Sequence, residues 1–224
     1  MRACGTLIAL ASRGTRAQAP APFDSLVLHA GVGIEGDAHA DALSPRQLLL
    51  AGTPVYEALS LPPHALRENL LFDFEPSCLG SGTVLQIGAE VRLRMMFQCE
   101  ACGQLDSVVP GLARQIGDRR GMLARVLTGG LVHAGDPVRT LGVLAPAWHE
   151  DWRERVRAVL DSVPPGTVVE YRHLARLAGI QSSYCRAFPR LLARLGNGYC
   201  TKAVPAQSPV PLARWQGENL FDIS

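Results

Sequence analysis

The sequence predicts two domains, a mostly β, barrel-like first domain with short helices and an α-rich second domain built on a helix-turn-helix. Three observations carry this prediction. Between Leu7 and Val138 the chain is a series of short apolar runs punctuated by glycine and proline, the pattern of strands joined by tight turns. From Tyr171 onward the apolar spacing becomes helical, with Gly179 as a break between two helices. Between the two regions lies the apolar joint Val143-Leu144-Ala145-Pro146-Ala147. Residues 1–143 are therefore expected to form the first domain, 144–149 a linker, and 150–224 the second domain.

The apolar start, Met1 to Ala11, is too short for the core of a signal peptide and reads as a first strand. The Ala/Pro segment Ala17 to Pro22 reads as a flexible loop. Strands are expected at Leu26–Leu28, Leu48–Leu50, Thr83–Ile87, Val91–Met96 and Leu131–Val138. Short helices are expected at Pro54–Leu59 and Gly111–Ile116, while Leu123–Leu127 fits either element. Many short strands with few helices argue for a barrel-like fold. Asp37 and Asp136 follow glycines and are expected to stabilise turns; His39 reads as a solvated loop residue or one facing a pocket.

In the second domain, Tyr171 to Ala178 puts Leu174, Leu177 and Ala178 on one face. Ser182 or Ser183 can cap a second helix running to about Leu195. Small Ala175, four residues before Gly179, suits the close crossing of a helix-turn-helix. Arg186, Arg190 and Arg194 recur every four residues as a cationic stripe opposite Phe188, Leu191, Leu192 and Leu195. Such a stripe is either a solvated face or a surface for nucleic acid, and a helix-turn-helix favours the latter.

Composition bounds the possibilities. With 47% hydrophobic residues the chain can bury two ordinary cores. From Glu150 onward ten basic residues face seven acidic ones, a net of +3, whereas the residues before carry −1. Neither value makes a polybasic arm, so affinity for nucleic acid is expected to be modest and salt-sensitive. No segment is long enough to cross a membrane. Six cysteines, at 4, 78, 99, 102, 185 and 200, show no disulfide-framework spacing and point to a reducing cytoplasm. Cys99-x-x-Cys102 would be half a zinc site, but no second Cys or His pair stands at a suitable distance. It also lacks the βαβ context of a redox dithiol. Two chemical readings stay open: reactive thiolates, or buried core thiols.

A series of motifs in the first domain resembles the MOSC domain, found at the C-terminus of molybdenum cofactor sulfurases and in small bacterial proteins. The series runs Gly33-Ile34-Glu35-Gly36-Asp37-Ala38-His39, Arg46-Gln47, Leu66-Arg67-Glu68-Asn69-Leu70, Leu85-Gln86-Ile87-Gly88, Cys99-Glu100-Ala101-Cys102, Arg120-Gly121-Met122 and Val126 to Asp136. The resemblance spans roughly Gly5 to Leu141. It implies a β-barrel that binds the molybdenum cofactor, molybdopterin, or carries sulfur from a donor. Molybdenum-ion and pyridoxal-phosphate binding are further implied properties. One cysteine of the family ligates molybdenum or holds a persulfide; Cys102 matches that position best, Cys99 second. Arg46, Arg67, Asn69 and Arg120, with Arg119 beside them, are the implied cofactor contacts, since arginine forks fit phosphate.

A second resemblance covers roughly Trp152 to Gln207. Val163-Pro164-Pro165-Gly166-Thr167-Val168-Val169-Glu170-Tyr171 and Val204-Pro205-Ala206-Gln207 are similar to motifs of the O6-alkylguanine-DNA alkyltransferases and the non-enzymatic alkyltransferase-like proteins. It implies a winged helix-turn-helix that binds alkylated duplex DNA. Tyr171 takes the place of the residue that rotates the target phosphate. Arg186 matches the arginine that fills the flipped base's gap when one residue is inserted before it. Ser182, Ser183 and Arg190 complete the implied DNA-contacting set. Ala206 stands where the family has its nucleophilic cysteine, and Gln207 where it has histidine. Alkyl transfer needs a thiolate activated by a base, so this chain is expected to lack that activity. With the sequence ending at Ser224, the family's lesion-binding loop is expected to be short or absent.

Three functions compete on this reading. One is a cofactor- or sulfur-binding MOSC domain fused to a non-catalytic DNA-lesion sensor for repair. Another is a molybdenum-cofactor-dependent oxidoreductase or sulfurtransferase whose second domain is only an interaction surface. The third is a scaffold in which both sites have decayed.

Overall fold

The computed structural model describes residues 1–222, so Ile223 and Ser224, the end of the expected second domain, lie outside the described residues. Two compact units emerge: Met1–Ala42 with Arg46–Trp148, and Leu43–Pro45 with the chain from His149 onward.

The first unit contains β1 (Arg2–Ser12), β2 (Ala21–Phe23), β3 (Ser25–His29), β4 (Gly33–Ile34), β5 (Leu48–Gly52), α1 (Thr53–Leu59), β6 (Leu70–Phe72), β7 (Thr83–Ile87), β8 (Val91–Gln98), α2 (Leu112–Gln115), β9 (Met122–Thr128), β10 (Gly130–His133) and β11 (Pro137–Val143). Seven strands close a barrel in the order β1-β11-β7-β8-β9-β5-β6 and back to β1. All neighbours are antiparallel except β5 and β6, whose parallel register sets Leu50 against Leu70. Strand β2 extends the sheet from β1, and β10-β3-β4 form a small separate sheet. Closure removes the exposed strand edges that would otherwise invite pairing with other chains.

Leu7, Leu10, Leu50, Phe72, Leu85, Ile87, Leu93, Met95, Met122 and Val126 fill the barrel. Strand β5 is buried on both faces: Leu48 and Leu50 point into the barrel, while Ala51 joins Val55, Leu66, Leu105, Leu112 and Ile116 in an outer cluster under α1 and α2. That outer cluster anchors the loop carrying Cys99 and Cys102, because Leu105 belongs to it. Gly121 permits the loop's approach. Its φ is +116°, and a Cβ there would fall 2.1 Å from Leu50 O. The open space lets Cys99 N donate to Gly121 O at 2.9 Å.

Two sequence expectations change here. Leu123–Leu127 is strand, the middle of β9, because it fills the slot between β8 and β5 with Met122, Ala124 and Val126 inward. Leu131–Val138 is two strands. Its Ala134-Gly135-Asp136 turn is closed by His133 N donating to Asp136 Oδ2 at 2.8 Å, so β10 joins the small sheet and β11 the barrel.

Asp37 does more than stabilise a turn. Its side chain is fully buried and accepts from Ser12 Oγ (3.1 Å), Arg13 N (3.1 Å), Asn69 Nδ2 (3.1 Å) and His39 N (2.8 Å), with His39 Nδ1 at 3.1 Å. Asn69 in turn bridges strands: its Oδ1 accepts from Leu49 N and its Nδ2 donates to Ala11 O. Burial alone would oppose ionisation of Asp37, but the hydrogen bonds from the His39 side chain and backbone and from the Arg13 backbone outweigh it. The carboxyl is held at about 2.

The second unit contains α3 (Trp152–Asp161), β12 (Thr167–Glu170), α4 (Tyr171–Leu177), α5 (Phe188–Leu195), α6 (Asn197–Cys200), β13 (Ala203–Val204) and β14 (Ala213–Arg214). Asp151 caps α3 by accepting from Arg153 N. Val156, Val159, Leu160, Val168, Leu174, Leu177, Phe188 and Leu192 are buried. Arg155, 1% exposed, ties this core together through Nε to Ala178 O and Nη1 to Glu150 O, at 2.9 and 2.7 Å.

The helix expected from Ser182 to Leu195 is divided. Residues 182–187 form a 3-10 turn capped by Gln181, with no serine side-chain cap, and α5 begins only at Phe188. Pro189 explains the division: it lacks an N–H and suits the first turn of a helix, not its interior. The expected wing is also different. Among the described residues β13 and β14 both pair with β12 in parallel, not as an antiparallel hairpin.

Replacing Asp37 with Asn should destabilise the first unit by about 2–4 kcal/mol, because an amide turns one acceptor toward donors as a donor. The wild-type pH profile follows from sign. The folded value, about 2, lies below the ordinary 3.8, so this contribution is complete above about pH 4 and is lost as pH falls toward 2. Urea denaturation at pH 2.5 and pH 6 checks both: Asp37→Asn should narrow the difference between the two pH values, by on the order of 1–2 kcal/mol.

Candidate functional site

The end of β1 delivers Arg13 to one place in the barrel unit, and the Asp37 hub fixes it there through Arg13 N. Its Nη1 donates to Arg67 O at 2.9 Å. His39 Nδ1 lies 3.4 Å from Arg13 Nη2 and 3.1 Å from Asp37 Oδ1, so a proton on Nδ1 serves the carboxylate. Arg67 sits just before β6 with φ +62°, a left-handed conformation uncommon outside glycine. Its Nη2 donates to Arg16 O and Gln18 O at 2.9 and 2.7 Å, holding the segment after β1.

The two cysteines follow β8, and each meets a guanidinium. Arg46 Nη2 lies 3.8 Å from Cys99 Sγ and stacks its charge 5.9 Å over the Phe97 ring. Arg120 Nη1 donates to Cys102 Sγ at 3.2 Å and to Glu100 O at 2.5 Å. Cys99 is 4% exposed; Cys102 is half-buried. Burial weakens the basicity of Arg13, Asp37 partly restores it, and Arg67 and Arg120 weaken it again, with Cys99 also within electrostatic reach. Among the described residues, Arg13 Nε and Arg120 Nε are both buried without a hydrogen-bond partner.

Cys99 with Arg46 and Cys102 with Arg120 thus form two thiol–guanidinium pairs after β8, while Arg67 is tied to Arg13 through its carbonyl. Asn69 has its side chain committed to Leu49 N, Ala11 O and Asp37, so it positions the site without facing it. Arg119 is exposed and donates to Gln115 O. Arg13 was missed by sequence reading, where a Ser-Arg pair after an apolar strand has no pattern to mark it. The chemistry available is that of a soft sulfur ligand among cationic forks. The donor set suits an anionic cofactor that carries phosphate and accepts one thiolate. Pyridoxal phosphate fits less well. The chain's single lysine, Lys202, lies in the second unit and donates to Leu160 O, which leaves the barrel unit without an amine for a Schiff base.

In the second unit, Tyr171 opens α4 and packs edge-to-face on Phe188, ring centroids 5.5 Å apart. Burial raises its hydroxyl above the ordinary range, with Cys200 and Cys185 adding to the effect. Cys185 Sγ lies 3.4 Å from Tyr171 O. Ser182, Ser183 and Arg186 are exposed on the 3-10 turn, and Arg190 and Arg194 on α5. Pairing of Glu170 with Val204 brings the exposed Ala206 and Gln207 to the strand end where Tyr171 starts its helix.

Residues 38–139 match the family model for the MOSC domain. Among solved structures, the chain is similar to the YuaD protein from Bacillus subtilis at 20% identity, covering 61% of this chain and 94% of that one, with a TM-score of 0.53. A hypothetical protein is matched at 18% identity over 87% of this chain and 92% of its own, TM-score 0.52. YiiM from Escherichia coli is matched at 18% identity over 85% and 92%, TM-score 0.47. The first two likenesses show a shared fold, and the second extends beyond the barrel unit. No curated protein matches the chain.

Thiol labelling of the folded protein should modify Cys102 well before Cys99, read by peptide mass mapping, because only Cys102 is open to solvent. Arg120→Gln, which removes the guanidinium that donates to Cys102 Sγ, should change the labelling rate of Cys102 several-fold and leave that of Cys99 unaltered. Equal rates at both cysteines would place them alike in the core.

Proposed function

We propose that the MOSC domain carried by residues 38–139 holds a molybdenum cofactor, or a transferable sulfane sulfur, on Cys102. One observation carries the reading: Cys102 Sγ accepts from Arg120 inside a cluster that also gathers Arg13, Arg46 and Arg67. Cys102 supplies the soft ligand and Arg120 orients it. Arg46 does the same for Cys99, which lines the pocket. The remaining guanidinium charge favours an anionic, phosphate-bearing ligand. A bound molybdenum centre would supply two-electron redox chemistry; a persulfide would supply sulfur transfer.

The second unit supports a further proposal, that it binds duplex DNA without alkyl transfer. The favouring observation is the exposure of Arg186 on the 3-10 turn and of Arg190 and Arg194 on α5, with Ala206 in place of a nucleophile just after β13. Loss of repair chemistry at that position leaves recognition as the remaining use of the surface. The alternative, a molybdenum-dependent oxidoreductase or sulfurtransferase with the second unit as an interaction surface, is retained if DNA does not bind. No helix is long and apolar enough to cross a membrane among the described residues.

Two experiments test these readings. Protein purified from molybdenum-fed cells should carry molybdenum and pterin, or a +32 Da persulfide by the mass of one added sulfur, and Cys102→Ser should lose it while Cys99→Ser retains most of it. Absence of metal, pterin and persulfide from wild type would leave the cysteines as core thiols. For DNA, Arg186→Ala and Tyr171→Ala should each weaken duplex binding by about 1–3 kcal/mol, with steep salt dependence. No labelled alkyl group should move from O6-alkylguanine DNA to the protein; stoichiometric labelling of Cys185 or Cys200 would overturn the non-catalytic reading.

A further inference from the structure

The turn before β6 carries a buried acid that neither thiol–guanidinium pair uses. Glu68 is 1% exposed and precedes Asn69 in the chain, yet its side chain meets α1 and not the Asp37 hub. Tyr56 Oη on α1 donates to Glu68 Oε2 at 2.6 Å and accepts from Leu66 N at 3.2 Å. His64 Nδ1 lies 3.3 Å from the other carboxylate oxygen, Oε1, and the His64 side chain is 20% exposed. Among the described residues no other titratable side chain contacts these three.

The backbone of this turn is strained. His64 has φ +58° and Arg67 has φ +62°, left-handed conformations that residues with a side chain rarely adopt. Arg67 N donates to His64 O at 2.9 Å, so the two strained residues are tied to each other. Such strain persists only where surrounding contacts hold it. For His64 the contact made by its side chain is the one with Glu68. The same turn is where Arg67 starts, and Arg67 holds the segment after β1 through Arg16 O and Gln18 O.

We propose that His64 and Glu68 form a proton-operated latch on the turn that delivers Arg67 to the segment after β1. With His64 protonated, the buried carboxylate has a cation beside it, and the turn is pinned to α1 through Tyr56. With His64 neutral, Glu68 is buried without a counter-charge, which is costly, and the strained turn opens more readily. Arg67 then loses its fixed origin, and its hold on Arg16 O and Gln18 O weakens. The contact with Glu68 raises the His64 imidazole above its ordinary 6.5, although partial burial works against it. Burial first, then the charge of Glu68, pushes the Tyr56 hydroxyl up, so Tyr56 remains a donor on both sides of the switch. The latch is therefore fully closed below about pH 6.5 and opens as pH rises through the raised His64 value. It stands whether or not Cys102 holds a cofactor.

Proton NMR of the His64 ring in the full chain should give a titration midpoint above 6.5, and Glu68→Gln should bring it to 6.5 or below. Hydrogen exchange, corrected for its intrinsic pH dependence, reads the turn itself. Protection of the Leu66 and Arg67 amides should fall roughly five-fold or more between pH 6 and pH 8.5, while that of β8 amides changes less than about two-fold. His64→Asn, which tolerates the left-handed backbone, should keep the turn at the open level of protection at both pH values. The midpoint and the exchange of wild type need no variant to fold. A wild-type midpoint at or below 6.5, an unmoved midpoint in folded Glu68→Gln, or protection of the turn that ignores pH in wild type each overturns the latch.

Discussion

The buried carboxylate of Asp37 is the interaction on which the barrel unit's site depends. It draws together the end of β1, the segment before β5 and the start of β6, three pieces remote in sequence. An uncompensated charge in that position would cost several kcal/mol, so the donors around it are obligatory. Once they are in place, Arg13 and Asn69 have no freedom to be elsewhere. The positive charge of the site is a consequence: a negative hub, fully engaged, organises arginines without neutralising them.

This arrangement separates two jobs that are easily conflated. Asn69 and Asp37 are buried and hydrogen-bonded to saturation, so they hold geometry. Arg120 and Arg46 each meet one of the two sulfurs, and Arg120 Nε is buried without a partner among the described residues. Arg67 bridges the categories. Its left-handed backbone is strained for a side-chain-bearing residue, and the hydrogen bonds at both its carbonyl and its guanidinium hold it there.

Much of the first unit was legible in the sequence because its strands are short, apolar and bounded by glycine. The starts of β5, β7 and β8 and the end of β7 follow from that alone, while β5 and β8 each run two residues further than expected. Leu123–Leu127 was not, since five residues of mixed character fit either period until neighbouring strands supply the slot. Cys99, Cys102, Arg46, Arg67 and Arg120 were singled out through ordered motifs, and the structure pairs Arg46 with Cys99 and Arg120 with Cys102. Arg13 and the true role of Asp37 were invisible, because both depend on contacts across at least 24 residues that only barrel closure creates. In the second unit the helix-turn-helix pattern located α4, but periodicity could not see that Pro189 restarts the second helix.

Barrel closure also has a temporal consequence. Strand β1 precedes every other strand of the barrel yet finds its last neighbour in β11, with Arg2 opposite Thr140. A nascent chain must therefore hold β1 open, one edge unpaired, until nearly the whole unit has emerged. Such non-local pairing slows folding and lengthens exposure of an apolar edge. A circular permutant that joins β11 directly to β1 should fold faster without altering the barrel's final contacts.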